Sequence, residues 1–265
     1  MKLKNDEQSL STALFKIASL TTLLLIAIST RASVAEFDYY KEHLSSLQKS
    51  KDKDLISNLY KAISNNKRLS YKQARTHLFG DIYLDNDNGK YTIKDVYCEK
   101  TFGQSAGVGP GRIPNHQVLN CEHTWPQSRF SSRESSSMQK GDLHHLYPTD
   151  SRANSTRGNI PFGEVDGEEV TGCPLSERGD DIYRGISSFE PPKYHKGNVA
   201  RALFYFSVRY RISINDTEEV FLKQWHRDDP VDQDEIRRNE KIYQIQGNRN
   251  PFIDDPELVD QIDNF

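Results

Sequence analysis

Cys121-Glu122-His123-Thr124-Trp125-Pro126-Gln127-Ser128 and the run from Asp142-Leu143-His144-His145-Leu146-Tyr147-Pro148 through Asn154-Ser155-Thr156-Arg157-Gly158-Asn159 organise this sequence. Four of its eight histidines, His116, His123, His144 and His145, fall in or just ahead of these stretches. Imidazole has an ordinary pKa suited to proton transfer near neutrality, so the clustering invites a catalytic reading. A zinc protease needs H-E-x-x-H or H-x-x-E-H, and neither string occurs. A G-x-S-x-G nucleophile elbow, a Walker A loop and a C-x-x-C pair are also absent. What remains is a carboxylate, an imidazole and an amide, a set suited to phosphodiester chemistry with a hard cation.

The 265 residues carry 35 Lys and Arg against 38 Asp and Glu, a formal charge of -3. The chain is too long for a disulfide mini-scaffold and too polar for a multi-span membrane protein. Its mild acidity offers no general attraction for polyanions, which argues against a protein that coats nucleic acid. Residues 1–35 read as a secretory signal: Lys2, Lys4 and Lys16 precede an apolar run from Ile17 to Thr30, and Ser33-Val34-Ala35 supplies small residues for cleavage. Removing Lys2, Lys4, Lys16 and Arg31 together with Asp6 and Glu7 leaves 31 basic against 36 acidic residues, a net -5. Export therefore deepens the acidity. An exported compartment allows one disulfide among Cys98, Cys121 and Cys173, and the sequence leaves all three pairings open.

Residues 36–265 read as one mixed, loop-rich α+β domain. The pattern predicts a helix from Phe37 to Tyr60, with Leu55, Ile56, Leu59, Tyr60 and Ile63 on one stripe. Ser70 and Gln73 form a capping-box signature opening a short helix toward Leu78. Asp85-Asn86-Asp87-Asn88-Gly89 reads as a turn before a strand from Tyr91 to Tyr97. Gly103 to Pro114 reads as a loop, and Ser131 to Ser137 as a second, exposed and mobile one. Lys196 to Ile214 is the clearest helix, with Lys196, Arg201, Arg209 and Arg211 offering a positive face. Trp225 to Gln246 reads as a further helix opened by Asp229-Pro230.

The two opening stretches, with Gly197-Asn198-Val199-Ala200-Arg201-Ala202 and Gln246-Gly247-Asn248-Arg249-Asn250-Pro251-Phe252, resemble the bacterial endonuclease I family. The resemblance runs from about Leu69 to Ile253. It implies a secreted or periplasmic, sugar-non-specific nuclease with a ββα-metal (His-Me finger) core surrounded by helices. It further implies that Glu122 and Asn154 bind one divalent cation, Mg²⁺ with Ca²⁺ or Mn²⁺ as alternatives. Asn154 would project from a short helix behind the hairpin that presents Glu122 and His123. His123 would be the general base, Arg157 and Asn159 would steady the site or a phosphate, and the products would carry 5′-phosphates. The expected partner is DNA, RNA or both, with no membrane contact after leader removal, and the chain is expected to act as a monomer.

One geometric difficulty attends this reading. Adjacent strand residues point to opposite faces, so Glu122 and His123 can serve one site only where the strand ends or bends. Arg129 and Arg133 are the candidates for a transition-state cation, while Arg201 and Arg249 are candidate phosphate contacts. His144 and His145 are candidate substrate contacts too, although a structural role fixing the turn before Pro148 is favoured. Two alternatives stand beside the endonuclease: a zinc-dependent hydrolase using His116, His123, His144 or His145, and a catalytically silent nucleic-acid-binding module.

Overall fold

The computed structural model describes residues 39–265, and the leader expected at residues 1–35 lies outside them. Residues up to Gln48 and Lys49–Phe265 form separate units. The first contributes the short helix α1 (Leu44–Leu47). The second carries the site and begins with α2 (Asp52–Ile63), which buries Leu55, Leu59, Ala62 and Ile63 as the apolar stripe requires. The helix expected from Phe37 to Tyr60 is thus interrupted within its described part, and Asp52 has a φ of 49° where the chain re-enters helix.

Next comes α3 (Tyr71–His77), opened by the expected capping box. The Gln73 N–H donates to Ser70 Oγ at 3.3 Å, and the Ser70 N–H donates to Gln73 Oε1 at 3.0 Å. A π-helical turn, Leu78–Ile82, continues it and drops Leu78 and Phe79 into the core. Gly80 lies so close to Gly111 that an added Cβ would sit 2.5 Å from the Gly111 nitrogen. The acidic stretch read as a turn is itself partly a strand. β1 (Asp85–Asp87) pairs with β2 (Lys90–Lys94) through Asn88-Gly89, whose φ values of 50° and 85° make a two-residue hairpin turn. β2 stops at Lys94, short of the expected Tyr97. There the buried Asp95 carboxylate accepts the backbone N–H groups of Tyr97, Cys98 and Lys100 and turns the chain. β3 (Thr101–Phe102) completes the order β1-β2-β3.

The central element is a hairpin with an excursion. β4 (Leu119–His123) and β5 (Leu146–Asp150) pair antiparallel, with Glu122 opposite Tyr147 and His123 opposite Leu146. Pro148 is tolerated because this sheet has only two strands. Between them lies α4 (Ser136–Lys140), capped by the Ser135 hydroxyl. The serine-rich segment expected to be loose is pinned: the buried Gln139 carboxamide bonds Ser131 N–H, Ser131 C=O and Glu134 C=O, and Glu134 pairs with Arg209 at 2.6 Å. α5 (Ser151–Arg157) follows β5 directly, capped by the Asp150 carboxylate at the N–H groups of Arg152 and Ala153.

Sequence patterning missed the next sheet, β6 (Val165–Val170), β7 (Cys173–Asp181) and β8 (Ser187–Glu190), in that order. β6 is polar and mostly exposed, so it shows no buried alternation. Gly167 and Gly179 face each other across β6 and β7, and a Cβ on either would come within 2.7 Å of the partner's Cα. Cys98 and Cys173 form the disulfide, joining the Asp95 turn to the start of β7, while Cys121 is free and buried.

α6 (Lys196–Tyr210) runs through the interior with thirteen of its residues buried. α7 (Asp216–Asp228), α8 (Gln233–Gln246) and α9 (Pro251–Asp254) follow. The helix expected over Trp225 to Gln246 is two helices. Pro230 cannot extend α7, the Asp229 carboxylate accepts the Gly197 N–H, and Asp232 caps α8 at the Glu235 N–H. Of the positive face expected from Lys196, Arg201, Arg209 and Arg211, only Arg211, over the Tyr60 ring, stays exposed without a carboxylate partner among the described residues. Arg201 is fully buried and forked on Glu235, Arg209 is buried against Glu134 and Asn66, and Lys196 pairs with Glu190.

These features make two predictions. Glu235→Ala leaves the Arg201 charge buried without a partner and lowers stability by about 3–5 kcal/mol in denaturant titration. Replacing Cys98 and Cys173 by Ser frees a loop of 75 residues and lowers stability by about 2–4 kcal/mol. Unchanged unfolding midpoints would contradict either assignment.

Candidate active site

Glu122, His123, Asn154 and Asn159 border one open cleft of about 510 Å³, together with Tyr71, Asn120, Gln127 and Ser128. The β4–β5 pairing places Glu122 and His123 at the last two strand positions, and the sharp passage from β5 into α5 brings Asn154 beside them. Strand alternation is kept. Glu122 turns toward Tyr97 and Arg157, whereas His123 turns toward Tyr71, Phe130 and His145. Both still reach the cleft because β4 ends at His123 and Pro126 diverts the chain.

Glu122 is 2% exposed. Burial raises its pKa above the usual carboxylate range, opposed by the Arg157 charge and by the Tyr97 hydroxyl. The Tyr97 O–H donates to Oε1 at 2.9 Å, and Arg157 Nη1 lies 3.5 Å from the same oxygen. Arg157, expected to steady the site or a phosphate, is 1% exposed. Its guanidinium donates to the carbonyls of His123 at 3.3 Å, Thr124 at 2.7 Å and Gly158 at 3.2 Å, and it covers the Phe162 ring. It is a positioning residue that locks the end of β4 to the end of α5.

His123 Nε2 lies 3.4 Å from the Lys140 carbonyl, and Nδ1 lies 3.5 Å from the Gln127 amide nitrogen. A carbonyl can only accept, so Nε2 carries the proton and Nδ1 holds the lone pair. Burial, reinforced by neighbouring His145, pushes the His123 pKa well below its ordinary value. The ring is therefore neutral at pH 7, the state a proton acceptor requires. Cys121, two residues back on the same strand face, has its thiol pushed up to about 12 by burial and is no nucleophile.

His144 and His145 are fully buried and do not line this cleft. Nε2 of His144 pairs with the Asn248 carbonyl at 3.2 Å, and Nε2 of His145 with the Gln139 carbonyl at 2.9 Å. Burial lowers both to about 4. The substrate role is replaced by the structural one, and the same facts remove them as zinc ligands. Asp142 beside them accepts Tyr205 O–H, Tyr210 O–H and the Gln246 amide, which binds this turn to α6 and to the Gln246–Asn250 segment. Arg249 is likewise no phosphate contact, being forked on Asp254 and paired with Glu240 at 2.5 Å. Arg129 pairs with the buried Glu218 at 3.1 Å, and Arg133 is exposed on the loop after it. Asn159 donates to Ser128 Oγ at 3.4 Å on the cleft rim.

Sequence reasoning missed Tyr71, Tyr97 and Gln127. Gln127 lay within the motif without a role. No local pattern connects Tyr71 or Tyr97 to a strand many residues away. As to metals, the Glu122 carboxylate and the Asn154 amide are hard oxygen donors bordering one cleft, and no protein hydrogen bond holds the Asn154 side chain among the described residues. That donor set fits a cation of the Mg²⁺ kind. The Cys98, Asp150 and Cys173 cluster does not form a thiolate site, because both sulfurs are in the disulfide.

The family model described as Endonuclease I matches residues 52–257. An extracellular ribonuclease of Bacillus subtilis (strain 168) is 32% identical over 275 residues, spanning 96% of this chain and 88% of its own. An extracellular ribonuclease of Bacillus amyloliquefaciens is 36% identical over 78% of this chain and 73% of its own. An extracellular deoxyribonuclease of Aeromonas hydrophila is 29% identical over 52% of this chain and 59% of its own. With the family match covering most of the residues and the strand-borne Glu122-His123 pair facing Asn154 across one cleft, the chain belongs to the Endonuclease I family and is an endonuclease.

Proposed function

We propose that this endonuclease is exported and hydrolyses the phosphodiester backbone of both DNA and RNA, with little base preference, using one Mg²⁺. The carrying observation is the convergence of Glu122, Asn154 and a neutral His123, whose Nδ1 lone pair meets only the Gln127 amide at 3.5 Å, on one open cleft. Endonucleases of this family depend on a divalent cation in general. Relatives named for ribonuclease and for deoxyribonuclease activity support the two substrates, and their extracellular names support export. No helix among the described residues is long and apolar enough to cross a membrane. The β4–β5–α5 unit serves as the ββα-metal core.

In this mechanism His123 Nδ1 takes a proton from the attacking water, whose oxygen forms the new bond to phosphorus. The bond from phosphorus to the 3′ oxygen breaks, that oxygen takes a proton from solvent water and departs as a 3′-hydroxyl, and the other product carries a 5′-phosphate. Glu122 and Asn154 hold the cation, which when bound neutralises charge growing on the phosphate and the leaving oxygen. Tyr97 and Arg157 fix the Glu122 carboxylate, and the Lys140 carbonyl fixes the imidazole tautomer.

Digestion of plasmid DNA and of RNA with Mg²⁺, with EDTA and with His123→Ala tests this reading. Cleavage is expected with Mg²⁺, none with EDTA, and about 10²–10⁴-fold less with His123→Ala. Undiminished cleavage by that variant would remove His123 as the base. Tyr97→Phe deletes the hydroxyl that orients Glu122, so the Mg²⁺ concentration for half-maximal activity rises about 10–100-fold. An unaltered metal requirement would show that Tyr97 does not act through the cation site.

A further inference from the structure

We infer that Arg75 and Lys140, gathered over the ring of Tyr71, form a backbone-phosphate subsite on the His123 side of the cleft. Their ligand is the polynucleotide strand next to the bond being cut, so the inference rests on the nuclease reading above. The Arg75 guanidinium carbon lies 4.5 Å from the centre of the Tyr71 ring, and Lys140 Nζ lies 4.6 Å from it. Tyr71 lines the cleft, and its ring centre is 5.4 Å from that of His123. The same Lys140 whose ammonium covers Tyr71 supplies the carbonyl that meets His123 Nε2 at 3.4 Å. Arg75 on α3 and Lys140 on α4 are thus brought together from distant parts of the chain, against the base.

Their charges are unbalanced. Among the described residues neither Arg75 nor Lys140 pairs with a carboxylate, whereas Arg129, Arg157, Arg201, Arg209, Arg249 and Lys196 all do. Arg75 Nε is itself buried without a hydrogen-bond partner, so any phosphate contact falls to the terminal guanidinium nitrogens. Each cation lies against the Tyr71 ring with no carboxylate to neutralise it, so an anion entering the cleft beside Tyr71 gains from both. A phosphate suits both partners, one a planar fork and the other a point charge. Contacts of this type grip the backbone without reading bases.

The test measures binding of a fluorescent single-stranded DNA oligonucleotide to the full mature protein in EDTA, which blocks hydrolysis, across about 50–200 mM salt. Cleavage kinetics in Mg²⁺ run in parallel. Each phosphate contact removed from a single strand lowers the slope of log K against log salt by about 0.7. Arg75→Gln and Lys140→Gln should each lower it by that amount, the double variant by about 1.4, with a raised KM. Arg75→Lys and Lys140→Arg should restore the slope, and Arg227→Ala, which removes an exposed cation paired with Asp260, should leave it unchanged. A folded double variant with wild-type slope and KM would overturn the subsite while leaving the nuclease intact. Wild-type protein that neither binds nor cuts nucleic acid would overturn both readings. A loss equalled by Arg227→Ala would reduce the effect to overall charge and also overturn the subsite.

Discussion

The Arg157 guanidinium is the contact on which the site depends. It carries a full charge into a place almost closed to water, where an unpaired cation would be strongly disfavoured. Its terminal nitrogens are met by the Glu122 carboxylate and three backbone carbonyls, and the Phe162 ring lies against it, while Nε is left without a partner. Those partners lie at the end of β4, in the residue after it and just past α5. One side chain therefore fixes the spacing between the strand that presents Glu122 and His123 and the helix that presents Asn154. Because it also faces Glu122, its charge opposes the rise in that carboxylate's pKa that burial causes.

Behind the hairpin, a second polar layer does the same for His123. Asp142 draws in Tyr205, Tyr210 and Gln246; His144 reaches the Asn248 carbonyl; and Arg238 donates to the carbonyls of Leu143, His144 and Leu146. Buried groups of this kind are tolerated because nearly every donor meets an acceptor. The result is a rigid wall against which His145 and Phe130 pack on the His123 ring. His145 thus packs behind the His123 ring, and the low pKa values of His144 and His145 keep both imidazoles neutral at pH 7.

The same economy of charge explains an acidic chain that works on a polyanion. Much of the basic inventory is spent inside the protein or on surface acids, so the sign of the total says little about the cleft. The cleft lining is mostly neutral, with Glu122 its one carboxylate, and the field there is governed by nearby groups more than by the distant sum. A nuclease that must release its product has no need of a broad positive surface.

Motif residues and local capping were legible in the amino-acid sequence, because both depend on short spacings. Glu122, His123 and Asn154 could be named from their strings, and the Ser70–Gln73 box opens α3 as read. The β6–β7–β8 sheet was illegible since β6 is polar and mostly exposed and neither β7 nor β8 alternates regularly, and the break at Asp229-Pro230 was misplaced because charged helices look continuous on either side of it. The sequence by itself determined which chemistry was available, a carboxylate, an imidazole and an amide in a fixed order. Only the tertiary structure decided which cations are neutralised, which histidine nitrogen is free and which side chains share the cleft. Those outcomes turn on partners brought from distant parts of the chain, such as Glu235 for Arg201, Tyr97 for Glu122 and Tyr71 for His123, and no local pattern encodes such pairings.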